Sequence, residues 1–355
     1  MATLRGEWPG FSGLSPLAQR VALWASLAVS GIGALTLGYF GVESLSTRSP
    51  RGVPVAEAAV AGPTATPTPS GPQRLVIHGT GDVNLDPQQL GLALSTFDAP
   101  WDGVRELFRG DDLTIINLEC APSPLGNAQD KQYTFRCDKG HEQMDAAGVD
   151  VANLGNNHAG DFGPEALLDG RARLTDAGIA PVGAGRDARE ANMPAVFEIK
   201  GWKIAVLGFG GVVPSPGWLA GENHPGVANG YDTASMVNAV RAADAHADLV
   251  LVTIHWGKEL DTKPQADDVA RAHALVDAGA DAIFGHHAHR LQPLEFYRGR
   301  PIAYGLGNFV WPSSGPTAIA EVIVLPNGTI EACLLPARIG VGRPALTGLS
   351  ACVPS

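Results

Sequence analysis

The chain has 355 residues, of which 45% are hydrophobic and 17% charged, with 44 Gly and 27 Pro, which excludes a collagen-like or wholly disordered protein. Its 25 Lys and Arg face 36 Asp and Glu, a formal charge of -11 that argues against non-specific binding to phosphate-rich polymers. Nucleic acid is therefore not expected as a partner.

Residues 1–20 form a short tail. From Val21 to Val42 no residue is charged, and about 20 such residues span the hydrocarbon core as a helix. The run predicts one transmembrane anchor over 21–42. A cleaved signal peptide is the alternative, but its apolar part usually holds about 7 to 15 residues, and no clear A-x-A site follows here. Arg5 and Arg20 before the span are matched by Arg48 and Arg51 after it, so charge alone does not orient the chain. Residues 43–72 are rich in Pro, Thr and Ala and read as an extended linker without a core.

Residues 73–355 are long enough for one α/β domain. The preceding 72 residues hold four of the Arg and three of the Glu, so the domain carries the acidity. All four cysteines lie in it, an even number that suits two disulfides in an oxidising compartment. Three pairings are possible, and Cys120 with Cys137 and Cys333 with Cys352 is the favoured one, because each pair closes a short segment. Together with the anchor, this predicts a single-pass protein of the cell membrane whose domain is extracytoplasmic.

In chain order, the apolar runs RLVIHGT, DLTIINLE, VDVANLG, KIAVLGFG, DLVLVTIHWG and DAIFGHH predict buried strands. Between several of them GPEALLDGRARLTDAG, TASMVNAVRAADAHA and DDVARAHALVDAGA have helical spacing, so a largely parallel βαβα order follows. Toward the end, LEFYRGRPIAYGLGNFVW, AIAEVIVLP and GTIEACLLP alternate or turn tightly, as antiparallel strands do. They suggest a second sheet packed on the first, and hence a four-layer α/β/β/α sandwich.

Metal-ligating side chains recur at the carboxyl ends of these strands, where open α/β sheets place ligands. They are Asp82 in GDVNL, Glu119 in INLE, Asn157 with His158 in NLGNNH, His255 in TIHWG, and His287 with His289 in GHHAH. Each has an ordinary structural explanation by itself: a turn for Gly-Asp, a helix cap for the asparagines, a core position for His255. Three histidines within four residues have none. Leaving His158 aside, two carboxylates, a carboxamide and three imidazoles suit Mn, Fe or Zn rather than Ca, and so many donors suggest two divalent ions. Two ions about 3.5 to 4 Å apart support hydrolysis of phosphoesters.

With GDVNL, NLEC, FRCD, GVDVANLGNNHAGDFG, HWGKEL and GHHAHRLQPLEFYRGRPIAYGLGNFVW in that order, the chain resembles the CapA-type poly-γ-glutamate capsule biosynthesis proteins of the calcineurin-like metallophosphatase superfamily. The resemblance implies the metallophosphatase type of sandwich. It implies that Asp82 and His289 hold one ion, that Asn157, His255 and His287 hold the other, and that Glu119 bridges both. His158 would be the catalytic imidazole, with His286 behind the ligands, although the run of histidines leaves the choice between His286 and His287 open. The implied partners are the membrane, an anionic envelope polymer or a phosphorylated precursor, and polymer synthase or export subunits. Asn84, Glu119 and Asn156 depart from ordinary metallophosphatases, where His, Asp and Gly are common, and Ala288 replaces the usual Pro between the paired histidines.

Further site members are Asp161 and Glu259, which can orient a histidine or water, and Asn308 on the rim. Arg136 precedes Cys137, and a Cys120–Cys137 bridge would draw its guanidinium toward Glu119 to form a fork with an anion. Trp256 and Trp311 are expected to shield the site or pack the sheets.

Overall fold

The computed structural model describes residues 71–91, 96–348 and 351–352. The anchor expected over 21–42, and the linker up to residue 70, lie outside the described residues. No helix among the described residues is long and apolar enough to cross a membrane.

The chain first lays down β1 (Leu75–Val83), β2 (Leu113–Leu118), β3 (Val151–Asn153) and β4 (Ala180–Val182), which pair in parallel in that order. Short β5 (Ala184–Gly185) pairs with β8 (Gly226–Val227). Between and after these come β6 (Ala195–Ile199), β7 (Trp202–Gly210), β9 (Leu249–His255) and β10 (Ala282–His286). The remainder is all strand: β11 (Leu294–Tyr297), β12 (Arg300–Ala303), β13 (Asn308–Val310), β14 (Gly315–Val324), β15 (Ile330–Ile339) and β16 (Pro344–Leu346).

Two large mixed sheets result. One runs β16-β15-β14-β1-β2-β3-β4 with β13 also on β1; the other runs β11-β12-β10-β9-β7-β6. The C-terminal strands therefore do not make a sheet of their own, as their alternation suggested. β11 and β12 extend the second sheet, whereas β14 to β16 extend the first, with β14 antiparallel to β1. KIAVLGFG, DLVLVTIHWG and DAIFGHH form β7, β9 and β10 of the second sheet, runs that the sequence did not separate from the first. The β11–β12 hairpin turns at Arg298 and Gly299, both with positive φ, as a two-residue turn matching the strand twist requires.

Alternation sorts the core. Ile77, Ile115 and Val151 of the first sheet pack with Ile204, Val206, Leu251 and Phe284 of the second in one apolar interior. Their neighbours Ile116 and Ala152 turn to the other face, where they join Phe108, Met144, Leu167 and Leu174 of the helical segments. All six residues of β2 are thus buried, as strands covered on both faces are. Each large apolar side chain so enclosed contributes about 1.5 to 3 kcal/mol. The predicted helices form at Gly163–Asp176, Thr233–Asp244 and Ala266–Asp277, and the second of these packs on β7 and β9. Close approach also fixes Gly81, because a Cβ there would meet the Gly307 carbonyl oxygen at 2.0 Å.

Both expected disulfides form, Cys120–Cys137 and Cys333–Cys352, with Cα atoms 5.8 and 5.6 Å apart.

Candidate metal centre

The carboxyl ends of β1, β2, β9 and β10, with the turn after β3, meet at one place. Asp82 is the last residue but one of β1 and pairs across the sheet with Asn117 and Asn308. Glu119 follows β2, and its backbone N–H donates to the Val83 carbonyl, which holds it beside Asp82. His255 ends β9 in register with His286, the last residue of β10. Beyond β10 the chain turns sharply: His287 and His289 have φ of 83° and 52°, a conformation that non-glycine residues hold only where the surroundings enforce it.

Two ligand groups with donors mutually within 4.8 Å share Glu119: Glu119 with His255 and His287, and Asp82 with Glu119 and His289. His255 Nε2 is 3.6 Å from Glu119 Oε1, and His289 Nδ1 is 3.1 Å from Asp82 Oδ2. Asn157 joins the first group, its Oδ1 lying 2.8 Å from His255 Nε2. His287 is the histidine in reach; His286 turns its Nε2 to Thr253 Oγ1 at 2.9 Å and stands 3.7 Å behind Asp82 Oδ1.

A fit to cations follows from what these atoms lack. Asp82 Oδ2, both carboxylate oxygens of Glu119 and His287 Nδ1 are buried without a hydrogen-bond partner. Such orphaned atoms are costly and call for a partner of opposite polarity. Burial and the neighbouring Asp82 charge push the Glu119 carboxyl well above its usual range. Burial pushes Asp82 the same way, but His289 outweighs it and holds Asp82 below the ordinary value. Burial likewise opposes charge on His289, yet the Glu119 and Asp82 carboxylates raise it to about 9. By contrast burial drives His255 far down and His287 to about 4, so both imidazoles keep a lone pair. The pocket demands positive charge and supplies mixed oxygen and nitrogen donors, the set that divalent transition metals take.

His158 lies next to this pocket, its Nε2 4.0 Å from Glu119 Oε1. Its Nδ1 is 2.7 Å from Asp161 Oδ2, and the Phe135 ring stacks on it at 4.1 Å. Asn156 closes the turn, its Oδ1 accepting from the His158 and Ala159 N–H groups, but it caps no helix, since the next one starts at Gly163 after Phe162. Asn157 is thereby left to face His255.

Arg136 does not stand where its neighbour Cys137 suggested. Its guanidinium donates to the carbonyls of Ser123, Leu125 and Gly126 and lies 3.6 Å over the Phe162 ring. Alternation explains this: Phe135 and Cys137 point inward and are buried, so Arg136 between them points outward. Glu259 is exposed. Asn308 Oδ1 accepts from His289 Nδ1 at 2.6 Å, and Trp311 packs on the His289 ring at 4.6 Å. Trp256 is buried against Tyr304.

Two contributors escaped sequence reasoning. Asn117 donates to Asp82 Oδ1 at 2.9 Å and lies 3.1 Å from His255 Nδ1, while its own oxygen accepts from Asn153 and Asn156. It sits two residues before Glu119, so strand parity was the signal available. Lys131 contacts Asp161, Asn157 and His158 at 2.6, 2.6 and 3.2 Å. It comes from a loop with no periodicity to mark it.

A carboxylate shared by two groups of imidazole and oxygen donors, on a mixed α/β scaffold, is an arrangement that could hold metal ions. The model of the bacterial capsule synthesis protein family PGA_cap matches residues 76–313, and the chain belongs to that family. PGA biosynthesis protein CapA of Bacillus subtilis is 33% identical over 256 residues, 70% of this chain and 67% of that protein. Capsule biosynthesis protein CapA of Bacillus anthracis is 35% identical over 205 residues, 56% of this chain and 50% of its own length. The matched region thus spans about two thirds of one relative and half of the other. Among solved structures, the NAD nucleotidase NadN of Haemophilus influenzae aligns over 78% of this chain and 60% of its own, at 15% identity and a TM-score of 0.45.

Proposed function

We propose that this protein is a membrane-anchored, extracytoplasmic hydrolase of the metallophosphatase type, acting in synthesis or export of an anionic envelope polymer of the poly-γ-glutamate or capsule kind. The observation that supports it most is the pair of ligand groups sharing Glu119, with their buried oxygens unpartnered. Asp82 and His289 would hold one ion, Asn157, His255 and His287 the other, with Glu119 common to both; Mn, Fe and Zn suit the donors. When bound, the ions supply Lewis acidity and a more acidic water.

The chain's own contribution centres on His158. Asp161 accepts from Nδ1 and fixes the ring, so Nε2 is the nitrogen on the side of the pocket, where a proton can be delivered. Burial lowers the basicity of this imidazole, so the proton is readily given to the oxygen that leaves phosphorus when the ester bond breaks. Asn117 holds Asp82 and His255 in register, and Trp311 packs on the His289 ring. The substrates are phosphorylated precursors or chains of the polymer, with synthase or export subunits as partners in the membrane.

With Mn added, the full chain is expected to hydrolyse bis(p-nitrophenyl) phosphate. His158→Ala should lower kcat by about 10² to 10⁴ while leaving metal content unchanged. Inertness of the Mn-loaded protein toward both phosphomonoesters and phosphodiesters would sink the hydrolase reading. In cells, deletion should remove surface polymer, and Asp82→Ala should fail to restore it; full restoration would leave a scaffold that needs no metal.

A further inference from the structure

We propose that Lys131 is a positioning residue that locks the orientation and tautomer of His158. The inference rests on the reading of His158 as the acid above, and it concerns how that imidazole is held. An ammonium has three donors and no acceptor. One hydrogen of Lys131 goes to Asp161 Oδ1 at 2.6 Å and one to the Asn157 carbonyl oxygen at 2.6 Å. Nζ also stands 3.2 Å from His158 Nδ1, but with a hydrogen on Nδ1 this is a contact between two donors and not a third bond.

The consequence runs through Asp161. Its Oδ2 faces the Phe135 N–H at 2.6 Å and His158 Nδ1 at 2.7 Å. With Lys131 on Oδ1, the carboxylate has a donor on every side and cannot rotate. A carboxylate only accepts, so His158 must carry its hydrogen on Nδ1, and Nε2 is the nitrogen left for chemistry on the Glu119 side. The Asp161 side chain is fully buried and that of Lys131 only 15% exposed. The Trp218 ring, 5.3 Å from Nζ, closes over the ammonium, and Gly160 leaves room for it, since a Cβ there would lie 2.8 Å from the ring. A loop more than twenty residues upstream thus fastens both the turn that bears Asn157 and the group that orients His158.

Removing the charge would leave a buried carboxylate without its cation, which proteins do not tolerate in place. The carboxylate is expected to swing toward solvent and release Nδ1. The test uses the metal-free full chain, labelled with ¹⁵N-histidine and assigned through His158→Ala. Wild type should show a protected, downfield imino proton on Nδ1 of His158. Lys131→Met should lose it to water exchange, and Lys131→Arg should retain it. With Mn and bis(p-nitrophenyl) phosphate, Lys131→Met should lower kcat by about 10 to 10² with KM changed less than about threefold. A protected Nδ1 proton persisting in Lys131→Met would overturn the proposal, whatever the activity. Should that variant not fold, Lys131→Gln is read the same way. If wild type hydrolyses no phosphoester, the function proposed above fails, but the imino proton still decides the role of Lys131.

Discussion

Glu119→Gln is expected to raise the stability of the metal-free protein at pH 8 by about 1 to 3 kcal/mol and to abolish its stabilisation by Mn. Both oxygens of Glu119 are buried and unpartnered, and burial with the nearby Asp82 charge raises its pKa well above the usual carboxylate range. A carboxyl whose folded pKa is raised costs stability as pH climbs from the unfolded value, near 4.3, toward the folded one. His289 acts in the same direction: its stabilisation is complete below about 6.5 and is lost as pH rises through its folded value of about 9. The metal-free wild type should therefore weaken toward alkaline pH. Gln removes the Glu119 part of that slope and gives an NH₂ to the orphaned Asp82 oxygen. Mn at about 100 times its Kd should stabilise wild type by about 2.7 kcal/mol. Melting curves of both proteins, with and without Mn from pH 5 to 9, check this. A metal-free variant that melts below wild type at pH 8 would contradict the electrostatic account.

The second large effect belongs to the Cys120–Cys137 disulfide. Its 17-residue separation puts its stabilisation at about 3 kcal/mol, or a fall of roughly 6 to 12 °C in melting temperature for a domain of this size. Replacing both cysteines by Ser should produce that fall. It should also reach the site, because Cys120 follows Glu119 directly and the Phe135 N–H, two residues before Cys137, anchors Asp161. Phe135 is further tied to this segment by its carbonyl, which accepts from the Ala121 N–H. Loss of the crosslink loosens Asp161 and, through it, His158. Thermal melts under non-reducing conditions measure the effect; a change under about 2 °C would show that hydrogen bonding alone holds the segment.

Much of this centre can be read in the sequence because a strand end is a local event. A buried apolar run followed by a polar residue puts that residue at the sheet's edge, and Asp82, Glu119, His255 and His287 all arise so. Non-local pairing is what the sequence hides. β14 joins β1 across 243 residues at His78 and Glu321, whose side chains meet in a buried contact, and nothing in AIAEVIVLP announces that partner. Side-chain direction misleads in another way. Arg136 lies one residue from a cysteine bonded next to Glu119, yet parity turns it to the opposite side. Lys131 is the converse case, an ordinary residue in an irregular loop that only the folded turn at 157–161 brings into use.

The claim on which the account depends is that Asp82, Glu119, Asn157, His255, His287 and His289 together hold two cations. Elemental analysis of the full chain, loaded with Mn and freed of excess, tests it most directly. The account predicts about two ions per chain, falling in Glu119→Gln, which removes the shared ligand. A wild-type protein that retains no divalent metal, or a Glu119→Gln variant that retains as much as wild type, would contradict it.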